Sequence, residues 1–359
     1  MLKTLKDVHW PLFLSGVLIA LSSFLFIYSA TFRGTEHYMY KQFSWLVLAS
    51  IAFWFVLAIG YRRFLNATYL IYIFSILLLI LVPMIGYTRH GAQRWIPIGS
   101  FALQPSEFCK LAVILTLAHF LAEQTKALGQ KRSFIFGSFL VLVPFILILK
   151  QPDLGTALVL VPVLFGMLFM WGIRLRYLIG VIAAGVLSSP FLWFLLKPYQ
   201  KRRLLVFLNP NADPLGSGYT AIQSRIAVGS GGLLGKGWLH GTQTQLDFVP
   251  EHHTDFIFCV IGEEFGFLGA LFLILLFCLL IGYAFQIIER TTDQKARLLA
   301  SGIAIMFIFQ MFINIAMTIG FAPITGITLP MVSYGGSSLI VTFMAVGFLA
   351  SIHKERSIF

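Results

Sequence analysis

Apolar runs long enough to cross a bilayer recur from one end of this chain to the other, and nothing else in the sequence constrains the fold as strongly. They extend over Pro11 to Thr31, Phe43 to Ile59, Thr68 to Gly86, Gln104 to Leu121, Phe134 to Leu149, Leu154 to Trp171, Tyr177 to Leu196, Phe256 to Ile288, Leu298 to Gly320 and Met331 to Ile352. A helix needs about 20 such residues to span the hydrocarbon. With 58% hydrophobic and 11% charged residues, this surface cannot be hidden in one soluble core. The expected fold is therefore an all-α polytopic membrane protein of about ten transmembrane helices. The first run has the apolarity of a signal peptide, but it is long enough to span and a second span follows, so it reads as a retained helix. Short polar loops join the runs, with no low-complexity tract and no convincing internal repeat, so residues 1–359 read as a single integral membrane domain.

An even number of spans puts both termini on one side, and basic residues indicate which. If the ends are cytoplasmic, inner segments carry 14 of the 26 Lys and Arg, and the short outer ones carry six: Arg33, Lys41, Arg89, Arg94, Lys110 and Lys150. That bias places both termini inside. The remaining six, Lys197, Lys201, Arg202, Arg203, Arg225 and Lys236, lie in the one long connection between helices 7 and 8, about residues 197–255, which is then extracytoplasmic. Inner basic residues orient helices and meet the anionic headgroups of membrane lipids. Outward-facing ones suit an anionic substrate such as a lipid-linked phosphate. Nucleic acid is not an expected partner there. Cys109, Cys259 and Cys278 all fall in apolar runs, without disulfide-like or metal-like spacing.

Four groups of residues could carry chemistry. Glu107 and Lys110 are three apart at the start of a span, after Gln104-Pro105-Ser106. They are either an ion pair anchoring a helix or a cation held ready for phosphate by its glutamate. Asp153, in Lys150-Gln151-Pro152-Asp153-Leu154-Gly155-Thr156, is by default a helix cap, with a second role as partner of Lys110 or part of a cation site. The run Gly229 to Trp238 looks superficially like a phosphate loop, but Ser230 and Gly237 break the motif. Its glycines are expected to permit close backbone packing and a turn. Finally, Glu251-His252-His253-Thr254-Asp255 precedes a long apolar run. The adjacent histidines lack zinc-site spacing, whereas Asp255 could cap the helix or take a proton from an attacking hydroxyl.

Several of these segments resemble the SEDS family of bacterial shape, elongation, division and sporulation proteins. The resemblance rests on Gly218 to Ser224, Ala227 to Trp238 and Pro250 to Phe256, together with Trp95 to Gly99, Gln104 to Glu107, Gln151 to Thr156 and Pro330 to Ser338. It covers nearly the whole chain, and Gly241-Thr242-Gln243-Thr244-Gln245 resembles the RodA branch rather than the FtsW branch. The resemblance implies a ten-helix glycosyltransferase of the bacterial cytoplasmic membrane that polymerises lipid II into peptidoglycan strands during cell elongation. It implies a class B penicillin-binding protein as crosslinking partner, alongside other elongation-complex membrane proteins.

By the same resemblance, Asp255 is the catalytic residue and acts as general base. Glu107, Lys110 and Asp153 are the family's other acidic and basic site positions. Lys110, a loop arginine (Arg202 or Arg203), or a divalent cation (Mg or Mn) beside Asp153 would stabilise the departing undecaprenyl pyrophosphate. No other cofactor is expected. These groups should converge on one outward-facing cavity beneath the long connection. The rival readings are a lipid-linked precursor flippase or other transporter, which calls for ionisable residues at the bilayer midplane, and a non-catalytic scaffold for a transpeptidase.

Overall fold

The structure, a computed structural model, describes residues 9–32, 38–89, 92–99, 101–124, 129–196, 198–214, 216 and 218–356. Of the basic residues used to orient the chain, Lys3, Lys6, Arg33, Lys126 and Lys197 lie outside them. The fold is an all-α polytopic membrane protein. Its long helices are α1 (Trp10–Thr31), α2 (Tyr38–Ile59), α4 (Thr68–Ile85), α5 (Pro105–Glu123), α6 (Gln130–Lys150), α7 (Leu154–Trp171), α8 (Leu175–Leu195), α12 (Ile257–Arg290), α13 (Gln294–Ile319) and α14 (Gly336–Arg356). Nine of these are long and apolar enough to cross a membrane, and α8 contributes a tenth, shorter apolar run, Leu175–Phe191. A short α3 (Tyr61–Asn66) joins α2 to α4.

Helices α2, α6 and α13 begin four or five residues before the expected spans, and two further differences are of another kind. The last span starts at Gly336, because Pro330 to Gly335 forms turns whose backbone is tied elsewhere: Ser333 Oγ donates to Thr254 O at 2.6 Å and Tyr334 N to His253 O at 3.0 Å. The connection after α4 is not a plain loop but a small antiparallel sheet of β1 (Tyr87–Arg89), β2 (Ala92–Ile98) and β3 (Phe101–Leu103), in that order. Pairing there satisfies backbone groups that an irregular loop at the membrane boundary would leave open.

Because the spans alternate in direction, one end of the bundle collects the sheet, the α6–α7 turn, the α8–α12 connection and the α13–α14 segment. The opposite end is tied by Tyr61 donating to Asp293 at 3.0 Å, Arg62 to Glu355 at 2.9 Å and Lys295 to Glu123 at 2.9 Å. Helices α5, α13 and α14 are mostly buried, whereas α2, α4 and α6 present most of their surface outward. Helix α14 lies along α2, α12 along α13 and α1, and α13 against α7 and α5.

The α8–α12 connection contains α9 (Pro198–Leu208), a 3₁₀ turn (Pro210–Ala212), α10 (Tyr219–Ser230) and the one-turn α11 (Thr242–Gln245). Its glycine-rich part repairs a broken helix. Helix α12 is interrupted at Gly266, whose φ of 63° and ψ of −159° suit glycine. The interruption leaves carbonyl and amide groups without helical partners, which the bilayer does not tolerate. The run 231–237 supplies them: Lys236 N donates to Glu263 O at 3.0 Å and Gly237 N to Glu264 O at 3.0 Å, while Phe267 N donates to Gly232 O at 2.9 Å and Leu268 N to Leu233 O at 3.1 Å. Close backbone packing is thus the role of these glycines. A Cβ at Gly266 would come within 2.3 Å of Gly235 N. Gly266→Ala should therefore lower stability by about 2–4 kcal/mol, read as a fall in the detergent melting temperature. Gly282→Ala, further along α12 where a Cβ meets nothing within 4 Å, should be neutral or slightly stabilising.

Candidate active site

Two clusters meet at the loop-rich end. The first is built around Asp153, which is 2% exposed and caps α7 by accepting from Thr156 N at 3.2 Å. Pro105 opens α5 at its first turn, which aims the preceding Gln104 and the following Ser106 at the same carboxylate. Gln104 Nε2 and Ser106 Oγ donate to Asp153 Oδ2 at 3.0 and 3.1 Å. From β2, Arg94 Nη1 approaches Asp153 Oδ1 at 3.7 Å, and its guanidinium also donates to Gln151 O and Pro152 O. Cap and site are therefore compatible roles for Asp153. A divalent cation there would have to displace these donors from both oxygens and sit beside a guanidinium.

Asp255 forms the second cluster. It lies in the turn before α12, half-buried, with Oδ2 so near Gly326 that a methyl group on that residue would be 3.3 Å away. The turn is held by its backbone: Asn314 Nδ2 donates to Asp255 O at 2.8 Å and to Ile327 O at 2.7 Å. The same segment packs against the start of α7 two residues past Asp153, because a Cβ on Gly155 would be 2.8 Å from Thr325 O and 3.1 Å from Gly326 O. Burial pushes the Asp255 carboxyl up to about 6 from an ordinary 3.8, helped by Glu251 and Asp153 and opposed by Arg94 and Arg203. Three carboxylates and two arginines from four separate segments thus share one field.

The structure adds detail to three expectations. Glu107 and Lys110 form an ion pair inside the bundle, one of the two alternatives read from their spacing: Lys110 Nζ donates to Glu107 Oε1 at 2.9 Å, and the residues are 5% and 2% exposed. With α5 beginning at Pro105, Lys110 lies more than a turn below the cap, inside the bundle. Arg202, on the solvent side of α9, is paired with Asp213. Its neighbour Arg203 instead acts electrostatically on Asp255 and lines a narrow recess with Val206, Phe207, Arg225, Met317 and Ile324. Asp255, finally, does not begin a continuous span. The segment Ile257 to Glu264 is wholly buried, ending just before the break at Gly266.

A family model for FtsW, RodA and SpoVE, described as cell cycle protein, matches residues 4–358. The chain belongs to the FtsW/RodA/SpoVE family. Within it, the chain is 44% identical to the peptidoglycan glycosyltransferase MrdB of Escherichia coli K12, over 80% of this chain and 77% of that one. It is 34% identical to the peptidoglycan glycosyltransferase RodA of Treponema pallidum, over 99% of both. A solved structure described as showing structural coordination of polymerization and crosslinking by a peptidoglycan synthase complex superposes with a TM-score of 0.84 at 35% identity, covering 97% of this chain and 98% of that one. The resemblance to the SEDS family and its RodA branch is thereby shown.

In this FtsW/RodA/SpoVE member, sequence reasoning missed two functional elements. Arg94 entered only as an orienting charge, because a strand of seven residues in a membrane protein gives little periodic signal. Glu263 and Glu264 were absorbed into an apolar run, although adjacent acids within a span are a signal in themselves. Glu263, fully buried, accepts from Lys236 Nζ at 2.7 Å, Thr242 Oγ1 at 3.1 Å, Gln243 N at 2.8 Å, and Thr244 N and Oγ1 each at 3.0 Å. Glu264 accepts from Ser29 at 2.6 Å. The pair fastens the Gly241 to Gln245 segment, and through it the loop bearing Asp255, to the first helix.

Proposed function

We propose that this chain is a RodA-like peptidoglycan glycosyltransferase that polymerises lipid II into glycan strands during cell elongation. The observation that carries the mechanism is the place of Asp255 in the turn before α12, fixed through Asn314 and set against Gly326, where burial raises its carboxyl to about 6 against the opposing influence of Arg94 and Arg203. A base of that strength is ionised at neutral pH, yet holds a proton more readily than an exposed aspartate. Asp255 takes the proton of an N-acetylglucosamine 4-hydroxyl as that oxygen bonds to the anomeric carbon of a second, lipid-linked sugar. The bond from that carbon to the diphosphate oxygen breaks on the opposite face, with inversion, and undecaprenyl pyrophosphate leaves with the electron pair. Arg203 and Arg94 stabilise the charge that builds on the leaving group. Asp153 holds Arg94 in place, and Glu107 with Lys110 braces the helix start that presents Gln104 and Ser106.

The bias of basic residues supports an inner-membrane protein with both termini cytoplasmic and the site extracytoplasmic; Arg62, Arg63, Lys295 and Arg297 all fall at the end away from the site. The likeness to a synthase that couples polymerisation to crosslinking supports a class B penicillin-binding protein as partner, within a wider set of elongation-complex membrane proteins. A flippase is less well supported. The deep ionisable groups Lys236, Glu263 and Glu264 are engaged in fastening the loop, rather than placed for alternating access.

Purified protein given labelled lipid II should make glycan strands resolvable on a gel. The value of kcat/KM should fall tenfold per unit as pH drops below about 6 and level off above 7, since only ionised Asp255 accepts the proton. Absence of product, or a profile flat between pH 5 and 7, would overturn the reading.

A further inference from the structure

Three successive backbone carbonyls in the turn before α12 are bonded from outside the turn. The turn's own amides, Thr254 N and Phe256 N, both donate to Glu251 O, at 3.1 and 3.3 Å. His253 O, Thr254 O and Asp255 O accept instead from α13 and the segment that follows it: from Tyr334 N at 3.0 Å, Ser333 Oγ at 2.6 Å and Asn314 Nδ2 at 2.8 Å. The backbone that bears the reactive carboxyl is thus held by a different part of the chain.

Asn314 makes two such bonds. It is fully buried in α13, and its amide nitrogen also donates to Ile327 O at 2.7 Å. Both partners are carbonyls, which fixes the nitrogen on this side of the amide. Ile327 follows Gly326, where a Cβ would be 3.3 Å from Asp255 Oδ2. One planar NH₂ group, with its two hydrogens at a fixed angle, therefore sets the separation between the backbone that carries Asp255 and the backbone its carboxyl lies against. Ser333 is anchored in turn, its Oγ accepting from Leu329 N at 2.8 Å. The same part of the chain is also registered against the Asp153 cluster. Ser337, in the first turn of α14, accepts from Gln104 N at 3.0 Å, and the Gln104 side chain donates to Asp153 at 3.0 Å.

We propose that Asn314 and Ser333 are positioning residues for the general base, clamping the carbonyls of Thr254 and Asp255 so that the Asp255 carboxyl is held against the Gly326 backbone and in register with the Asp153 cluster. This rests on the glycosyltransferase reading and adds to it the groups that fix the base. Each acts through the backbone rather than on the carboxyl.

Releasing the clamp has two consequences. A misplacement of about 1 Å lowers the rate by up to about 10²-fold. A carboxyl freed from the Gly326 wall is also better hydrated, and because burial is the main cause that raises it to about 6, hydration returns it toward 3.8. The charged groups that act on it, Glu251, Arg94, Asp153 and Arg203, are left in place by substitutions at the clamp.

The test measures glycan synthesis from labelled lipid II by the full-length protein across the acid limb of its pH profile. Ser333→Ala removes a single oxygen atom, and Asn314→Leu keeps the volume without the donors. Each should lower kcat at neutral pH by about tenfold or more, leave KM within about threefold, and move the midpoint of the acid limb of kcat/KM down by about one pH unit or more. A merely structural role predicts a lower melting temperature, with kcat per folded molecule, KM and the midpoint all unchanged. That result in Ser333→Ala would overturn the proposal, whether or not Asn314→Leu folds, while leaving polymerisation established. A wild type that makes no glycan would overturn the functional reading, and the clamp with it.

Discussion

Asp255→Asn is expected to reduce lipid II polymerisation by a factor of about 10²–10⁴, the range that general-base catalysis supplies, with the protein still folded and no less stable. The amide fills the same space but cannot take a proton at neutral pH. Stability should move the other way from activity. Because the folded carboxyl titrates near 6 rather than 3.8, the folded state binds the extra proton between those values, and stability falls as pH rises through that window. Above pH 6 the fold bears the whole penalty of the buried charge, which Asn removes. At pH 7.5 the variant should melt at or above the wild-type temperature, and the difference should vanish below pH 4. Glycan synthesis near the wild-type rate would remove Asp255 as the base; a large drop in melting temperature would make it a structural residue.

Lys110→Ala should be the most destabilising single change at the site. Sequence reasoning favoured a cation available to phosphate, for which the expected thermal shift is modest. In the structure both members of the pair are buried, and removing one leaves the other as an unpaired buried charge, worth about 3–5 kcal/mol. The double variant Glu107→Gln with Lys110→Met should recover most of that loss, because neither replacement carries a charge. Detergent melting curves of the two variants decide the matter. A Lys110→Ala protein that melts normally yet makes no glycan would restore the phosphate-binding role.

The spans were legible because each is a long apolar run, and a periodic signal of that length survives irregular boundaries. Legibility failed where a segment's conformation depends on a distant partner. Nothing local to Pro330 to Gly335 says that its backbone will bond to Thr254 and His253, and the apolar run after Asp255 gives no sign that Gly266 breaks it. Asp153 and Asp255 stood out as carboxylates beside spans. Choosing Arg203 over Arg202 required knowing that Asp213 would claim the latter, since adjacent residues on a helix face different ways. Arg94 could not be recognised without the sheet that carries it.

The repaired break in α12 also sets an order of assembly. Residues 231–237 leave the ribosome before the half-helix they complete, and neither piece can settle within the bilayer alone, since each unsatisfied backbone group there costs several kcal/mol. The stretch from Phe267 to Arg290 is long enough to insert by itself. The half-helix Ile257 to Phe265 must wait for the glycine-rich loop to return from the aqueous side and dock. Asp255, in the turn just before that half-helix, thus comes into its final position only when the loop has docked.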